Sequence, residues 1–306
     1  MDRGSASRSP RKEPGRPVTA LKVLSLLSLT RIYNIVLIGA AQYLSCIFFF
    51  TSRPPDFSVL TDPHFFVLVV CTWMTVAGGY IINYFYDKNK DRINDPHKSA
   101  LDGYVTQSTT LKLYLTLNAA AIALSLYVSV RSVVFFAGFA FLLWFYSHKL
   151  KKIPLLADLS LAAIAVIPLF AVFFYRKIID VHAIFAHGMF LFFLLVSLSL
   201  LNDLNNRRGD AVFGYRTIAV VLEEKKAARI AAAVVFAAAL CAVAIRSFEK
   251  GNAFSLYFAA GAPFLGVLAC ILFAVPSDRL FRAAEIGIKV LILAGLLSIP
   301  LRIVPV

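Results

Sequence analysis

Charge is scarce in this chain: only 16% of its 306 residues are Asp, Glu, Lys or Arg, against about a quarter in an ordinary soluble domain. The four cysteines, Cys46, Cys71, Cys241 and Cys270, form no CxxC pair and fall inside apolar runs, so they read as small buried hydrophobes rather than as disulfides or metal ligands. The five histidines form no HxxxH or HExxH pair. That excludes the usual zinc and haem patterns, and any metal chemistry must rest on oxygen ligands. The alternating ten-residue segments of a membrane β-barrel are absent too. No cleavable signal peptide is expected, because the first apolar run begins well into the chain and lacks a small-residue cleavage site.

What fills the chain instead is apolar: 59% hydrophobic residues and a mean hydropathy of +0.76. Such a composition needs lipid as its solvent, and about 20 apolar residues cross a bilayer as one helix. About nine stretches qualify, near 32–51, 65–86, 111–130, 132–147, 156–175, 182–202, 228–247, 254–274 and 284–304. The fold expected is an all-α integral membrane bundle of about nine transmembrane helices, with residues 1–23 a disordered basic tail and 24–306 the transmembrane domain.

The net charge of +14 raises the question of nucleic acid, but the distribution of charge across loops answers differently. The N-terminal tail and the loops after spans two, four, six and eight, with the adjoining helix ends, hold about 24 of the 31 Lys and Arg. By the positive-inside rule these segments are cytoplasmic, the C-terminus lies outside, and the partner is a lipid bilayer, with no nucleic acid. A bacterial cytoplasmic membrane is expected. Arg3, Arg8, Arg11, Lys12 and Arg16 in the tail suit that topology.

Two polar segments stand out at the cytoplasmic edge. Gly78 to Pro96 reads GGYIINYFYDKNKDRINDP, with Asn83, Asp87 and Asp91 at intervals of four. On a helix each such step turns the side chain by about 40°, so the three oxygens share an arc of about 80°. Carboxylates at a membrane edge are costly to keep ionised without a positive partner. Magnesium, which takes a few carboxylates together with phosphate oxygens, would supply one and bridge to a diphosphate. The plainer alternative is a helix emerging into water with its charges solvated beside Lys88, Lys90 and Arg92.

That alternative weakens at the second segment, LNDLNNRRGDAVFGYRT from Leu201 to Thr217. Asp203, Asn206 and Asp210 share one face if the segment is helical that far. Arg207, Arg208 and Arg216 supply donors that fit phosphate, and Gly209 and Gly214 allow turns. The loop WFYSHKLKKIP after span four adds Tyr146 and Lys151, which could bind a leaving diphosphate, among basic residues that topology alone would place there.

These residues resemble the UbiA family of intramembrane prenyltransferases over nearly the whole chain from about Leu24. The family's NxxxDxxxD motif is matched by Asn83, Asp87 and Asp91, followed by Arg92, Ile93, Asn94 and Pro96, a form similar to members that prenylate archaeal-type glycerolipids or make chlorophyll-like products. The second motif is matched by Asp203, Asn206, Gly209, Asp210, Gly214 and Thr217, with Asn206 where many members carry aspartate. Tyr146 and Lys151 resemble the tyrosine and lysine after the fourth helix. Thr30 to Asn34 resembles the segment opening the first helix, keeping Arg31 and Asn34 without its proline. After Pro96 the chain reads HKSALDG rather than RPIPSG, a departure that bears on the acceptor.

The resemblance implies a bundle around a central cavity, magnesium as cofactor, a polyprenyl diphosphate donor and a lipophilic acceptor, either a quinone-precursor aromatic or a glycerolipid-type alcohol. On that reading Asp87 and Asp91 hold one magnesium, and Asp210 with Asp203 or Asn206 a second. Lys151, Arg207 and Arg208 stabilise the leaving group, and the allylic cation alkylates the acceptor. Two other classes compete. A cation-coupled transporter would show a matching inverted pair of broken helices, which is not apparent. A phosphatidyltransferase would continue Asp102-Gly103 into DGxxAR, whereas Tyr104, Val105, Thr106 and Gln107 follow.

Overall fold

The computed structural model describes residues 30–49, 55–94, 106–176, 181–212, 214 and 216–305; the side chains of 87–94, 181 and 183 lie outside that description, as does the expected tail, 1–23. The described residues contain nine helices long and apolar enough to cross a membrane. We number them α1 (Ile32–Leu44, continued by a π-helical turn Ser45–Phe49), α2 (Pro63–Asn94), α3 (Gln107–Val128), α4 (Val130–His148), α5 (Leu156–Arg176), α6 (Val181–Val212), α7 (Glu224–Phe248), α8 (Phe254–Ala274) and α9 (Asp278–Ser298). The nine expected spans fall on these helices, with ends offset by up to ten residues, most at the C-terminal ends of α2 and α6.

Local chemistry sets several boundaries. Ser129 alone joins α3 to α4: its extended backbone breaks the helix, and its hydroxyl accepts from the Ser132 N–H that opens the next one. Thr106 and Ser277 cap α3 and α9 in the same way. Pro168 stands inside α5, and its carbonyl accepts from the Gln42 side chain, which also donates to Thr72. These bonds tie α1, α2 and α5 together in the apolar interior, where an unpaired polar group is expensive.

The packing divides into two cores. One gathers buried residues of α1 to α5, such as Phe65, Phe136 and Val172; the other joins α6 to α9 through Leu200, Val235, Leu265 and Phe281. On α7 the stripe Ala228, Ala231, Ala232, Ala238, Ala239 and Ala242 is buried, and small residues of this kind let helices approach closely where lipid offers no hydrophobic drive for association. The outward faces carry Leu126, Val134, Phe174 and Val267, all more than half exposed, as lipid requires. The cysteines are free thiols; Cys46 and Cys71 are buried as expected, but Cys270 is exposed on α8.

At the end of α7 away from its charged start, Glu249 is buried and receives Arg302 Nε at 3.1 Å and Asn252 Nδ2 at 3.0 Å. Arg302 also lies over the Phe49 ring at 4.5 Å and donates to the Phe49 carbonyl. This clasp fastens the C-terminal segment and the α7–α8 turn to the π-helical end of α1.

The two ladder helices are unusually long. At 32 residues each, α2 and α6 run about 48 Å at 1.5 Å per residue, well beyond the roughly 30 Å of a hydrocarbon core. Their last turns therefore project from the membrane, and those turns carry the polar motifs.

Candidate active site

On α2 the helix continues through Asn94, so positions 83, 87 and 91 lie on one continuous helix as the spacing requires. The side chains of Asp87, Asp91 and Arg92 are outside the described residues. Asn83 is described, and its Oδ1 accepts from Lys151 Nζ at 2.8 Å. One turn earlier, Tyr80 receives Asn34 Nδ2 on its hydroxyl at 3.0 Å, with the Arg31 guanidinium 5.5 Å from its ring. The structure thus brings Arg31, Asn34, Asn83 and Lys151 to the same end of α2.

Arg31 itself adopts a left-handed conformation, φ 48°, at the start of α1. Tyr146 is buried near the end of α4, and the chain then makes a 3-10 turn over Leu150–Lys152. Pro154 and a left-handed Leu155, φ 63°, turn it into α5. A left-handed conformation costs a branched residue about 1 kcal/mol or more, so this connection is held in place by its surroundings.

On α6 the helix persists to Val212, which settles the condition placed on the second ladder. At 100° per residue Asp203, Asn206 and Asp210 occupy an arc of about 60°. Of the two glycines that allow turns, Gly209 is helical and the turn falls at Gly214, where φ of 73° suits glycine. Asp203 and Asp210 are half-buried, and Asn206 is exposed with Nδ2 3.1 Å from Asn202 Oδ1.

The two arginines are engaged elsewhere. Arg207 pairs with Glu224 of α7 at 2.8 Å, and Arg208 with Asp278 of α9 at 3.1 Å. With Asn205, Ala211 and Arg282 they line an open cleft of about 450 Å³, and by helix geometry its α6 residues centre about 140° around the helix from the ladder. The cleft is therefore on the back of α6.

Sequence reasoning missed Asp158. It sits in the first turn of α5, is only 4% exposed, and its Oδ1 accepts from the Ser199 hydroxyl of α6. Ser199 lies one turn before Asp203 on the same face. The signal was present: LLADLSL places an isolated carboxylate within an apolar span, which in a membrane protein marks a functional position by default. The segment from Lys151 to Asp158 thus reaches both ladders, touching Asn83 of α2 at one end and Ser199 of α6 at the other.

All the ladder donors are carboxylate or amide oxygens, a set that suits magnesium and not a thiolate- or imidazole-loving metal. Among the described residues no three His, Cys, Asp or Glu side chains converge into a metal site. By position in the sequence the expected donors fall into one row on α2 and one on α6, and each row alone has fewer oxygens than magnesium takes, which fits an ion completed by substrate phosphate oxygens.

The sequence profile of the UbiA prenyltransferase family matches residues 40–285. The digeranylgeranylglyceryl phosphate synthase of Pyrococcus furiosus is 28% identical over 216 residues, 69% of this chain and 74% of that protein. That of Saccharolobus solfataricus is 28% identical over 215 residues, 69% and 73%. Among solved structures, one concerning digeranylgeranylglyceryl phosphate synthase in membranes superposes with a TM-score of 0.72 at 18% identity, covering 92% of this chain and 99% of that one. A UbiA homolog from Archaeoglobus fulgidus bound to GPP and Mg2+ gives 0.62 at 14%, covering 90% and 99%. These named relatives are archaeal, so the expected bacterial origin gains nothing from them. With nine apolar helices of span length among the described residues and a family match over most of its length, the chain belongs to the UbiA prenyltransferase family and is a multi-pass membrane prenyltransferase.

Proposed function

We propose that this enzyme transfers a prenyl chain from a polyprenyl diphosphate to the free hydroxyl of a glyceryl phosphate that already carries one prenyl ether, releasing diphosphate at the cytoplasmic face. The observation that carries this reading is the placement of two oxygen ladders at the same end of α2 and α6, with Lys151 against the first. The acceptor class is supported by relatives named digeranylgeranylglyceryl phosphate synthase, since making a diprenyl glyceryl phosphate consumes a monoprenyl one.

The ladder on α2, Asp87 and Asp91, and that on α6, Asp210 with Asp203 or Asn206, would each hold a magnesium ion. Magnesium held by these residues would supply positive charge to offset that of the diphosphate. Lys151 adds a fixed positive charge from the α4–α5 turn, where charge develops on the leaving group. Arg31 and Asn34 hold the start of α1 against Tyr80, closing the bundle one turn below Asn83. Arg207 and Arg208 brace α6 on α7 and α9 and so keep its ladder in register.

The test is incubation of the purified protein with labelled geranylgeranyl diphosphate, magnesium and either geranylgeranylglyceryl phosphate or a hydroxybenzoate. A labelled diether from the first supports the proposal. A prenylated aromatic with no diether would replace the acceptor by a quinone precursor. Tags near Lys98, Lys152 and Lys225 should be reached from the cytoplasm and one near Lys177 from outside; the reverse pattern would overturn the orientation.

A further inference from the structure

The described residues bury two carboxylates, Glu249 and Asp158. Glu249 is held by Arg302 at the far end of the bundle. Asp158 has no cationic partner among the described residues: Oδ1 accepts from the Ser199 hydroxyl, and the other bond recorded to the carboxyl comes from its own backbone N–H. A buried carboxylate without a counter-ion is an expense a membrane helix rarely keeps without use.

Its place suggests the use. Ser199 shares the face of α6 that carries Asp203, Asn206 and Asp210, and lies about 6 Å along the axis from Asp203 on the side of the membrane interior. A prenyl diphosphate whose phosphates meet the ladders and whose chain runs into the bilayer passes this level with its reacting end. Forming an ether there breaks the allylic carbon–oxygen bond, the electron pair leaving with diphosphate, and makes a new bond from the acceptor oxygen to that carbon. The acceptor's O–H bond must also break, in a site that water does not freely enter.

We propose that Asp158 is the general base of the transfer, taking the acceptor hydroxyl proton on its Oδ2 while Ser199 fixes the carboxyl through Oδ1. The proposal rests on the alcohol acceptor given above. A phenyl ring alkylated on carbon would place its proton elsewhere.

The experiment uses full-length protein with labelled geranylgeranyl diphosphate, magnesium and geranylgeranylglyceryl phosphate, and reads two products: the diether, and the geranylgeraniol formed when water traps the ionised chain. Asp158→Asn keeps the size and the acceptor oxygen for Ser199 but is a far poorer base. The ratio of geranylgeraniol to diether should rise by about 100-fold, the lower range of a general base's contribution. If Asp158→Asn does not accumulate in membranes, Asp158→Ser is read by the same ratio, and Asp158→Glu should restore it most of the way to wild type. An unchanged ratio, whether both products fall together or neither does, overturns the assignment of Asp158. Absence of diether from the wild-type protein overturns the acceptor reading, and this proposal with it.

Discussion

Lys151 Nζ donates to Asn83 Oδ1 at 2.8 Å, joining residues 68 apart in sequence. The bond crosses from the α4–α5 turn to the first polar rung of α2, so the ammonium is parked where a diphosphate would need it.

Lys151→Met should therefore lower kcat by about 100-fold or more, comparable with removing one preorganised donor at a developing negative charge. Lys151→Arg keeps the charge in a different geometry and should recover part of the loss. Steady-state rates on the two variants decide it; a Lys151→Met enzyme within a few-fold of wild type would remove Lys151 from leaving-group stabilisation.

Asn206 offers a second check. The helix carries Asp203, Asn206 and Asp210 on one face, and an amide brings an oxygen without charge. Asp203→Ala should cost at least as much activity as Asn206→Ala, while Asn206→Asp should stay active and saturate at lower magnesium. Magnesium titrations test this, and an inactive Asn206→Asp beside an unaffected Asp203→Ala would mean that the amide has a specific role.

The loop facing away from the site predicts acid sensitivity. Asp56 is held below the ordinary 3.8 by the Ser58 hydroxyl and by Arg176, whose Nη2 lies 2.8 Å away. For Asp62 burial pushes upward, but the Tyr175 hydroxyl and the N–H groups of His64 and Phe65 outweigh it, and it too is lowered. Carboxyls whose folded values are depressed contribute stability that is complete above the unfolded value and is lost as pH falls through the folded one. Melting curves in detergent should show Asp62→Asn less stable than wild type at pH 7, with the gap closing below about pH 3.8. A gap that persists in acid would assign the effect to packing.

The clasp around Glu249 should matter for stability and not for chemistry. Removing Arg302 leaves a buried carboxylate without its ion pair, and Arg302→Ala should cost about 3 kcal/mol. A double variant, Arg302→Met with Glu249→Gln, should recover much of it. Detergent melting temperatures give the readout, and equal losses in single and double variants would contradict the pairing.

Much of this molecule was legible in the sequence because lipid imposes a harsh rule: apolar runs of span length must be helices. The same rule makes the exceptions readable, as in the rows Asn83, Asp87, Asp91 and Asp203, Asn206, Asp210. The partners of Arg207 and Arg208 were not legible, since Glu224 and Asp278 lie on helices whose placement around α6 no local pattern records. Nor was the Ser199 contact of Asp158, which depends on α5 and α6 crossing at that height. Which of Gly209 and Gly214 makes the turn was not legible either, because glycine permits a turn without requiring one; helix hydrogen bonding carried α6 past Gly209 to Val212.

Magnesium-dependent prenyl transfer on the α2 ladder is tested by measuring diether formation with Asp87→Asn and Asp91→Asn proteins that still accumulate in membranes, beside wild type with and without EDTA. Metal ligation needs the ionised oxygens, so both variants and the EDTA-treated enzyme should lose essentially all turnover, with magnesium restoring only the wild type. Near-normal transfer by either variant, or by wild type under saturating EDTA, would contradict the account.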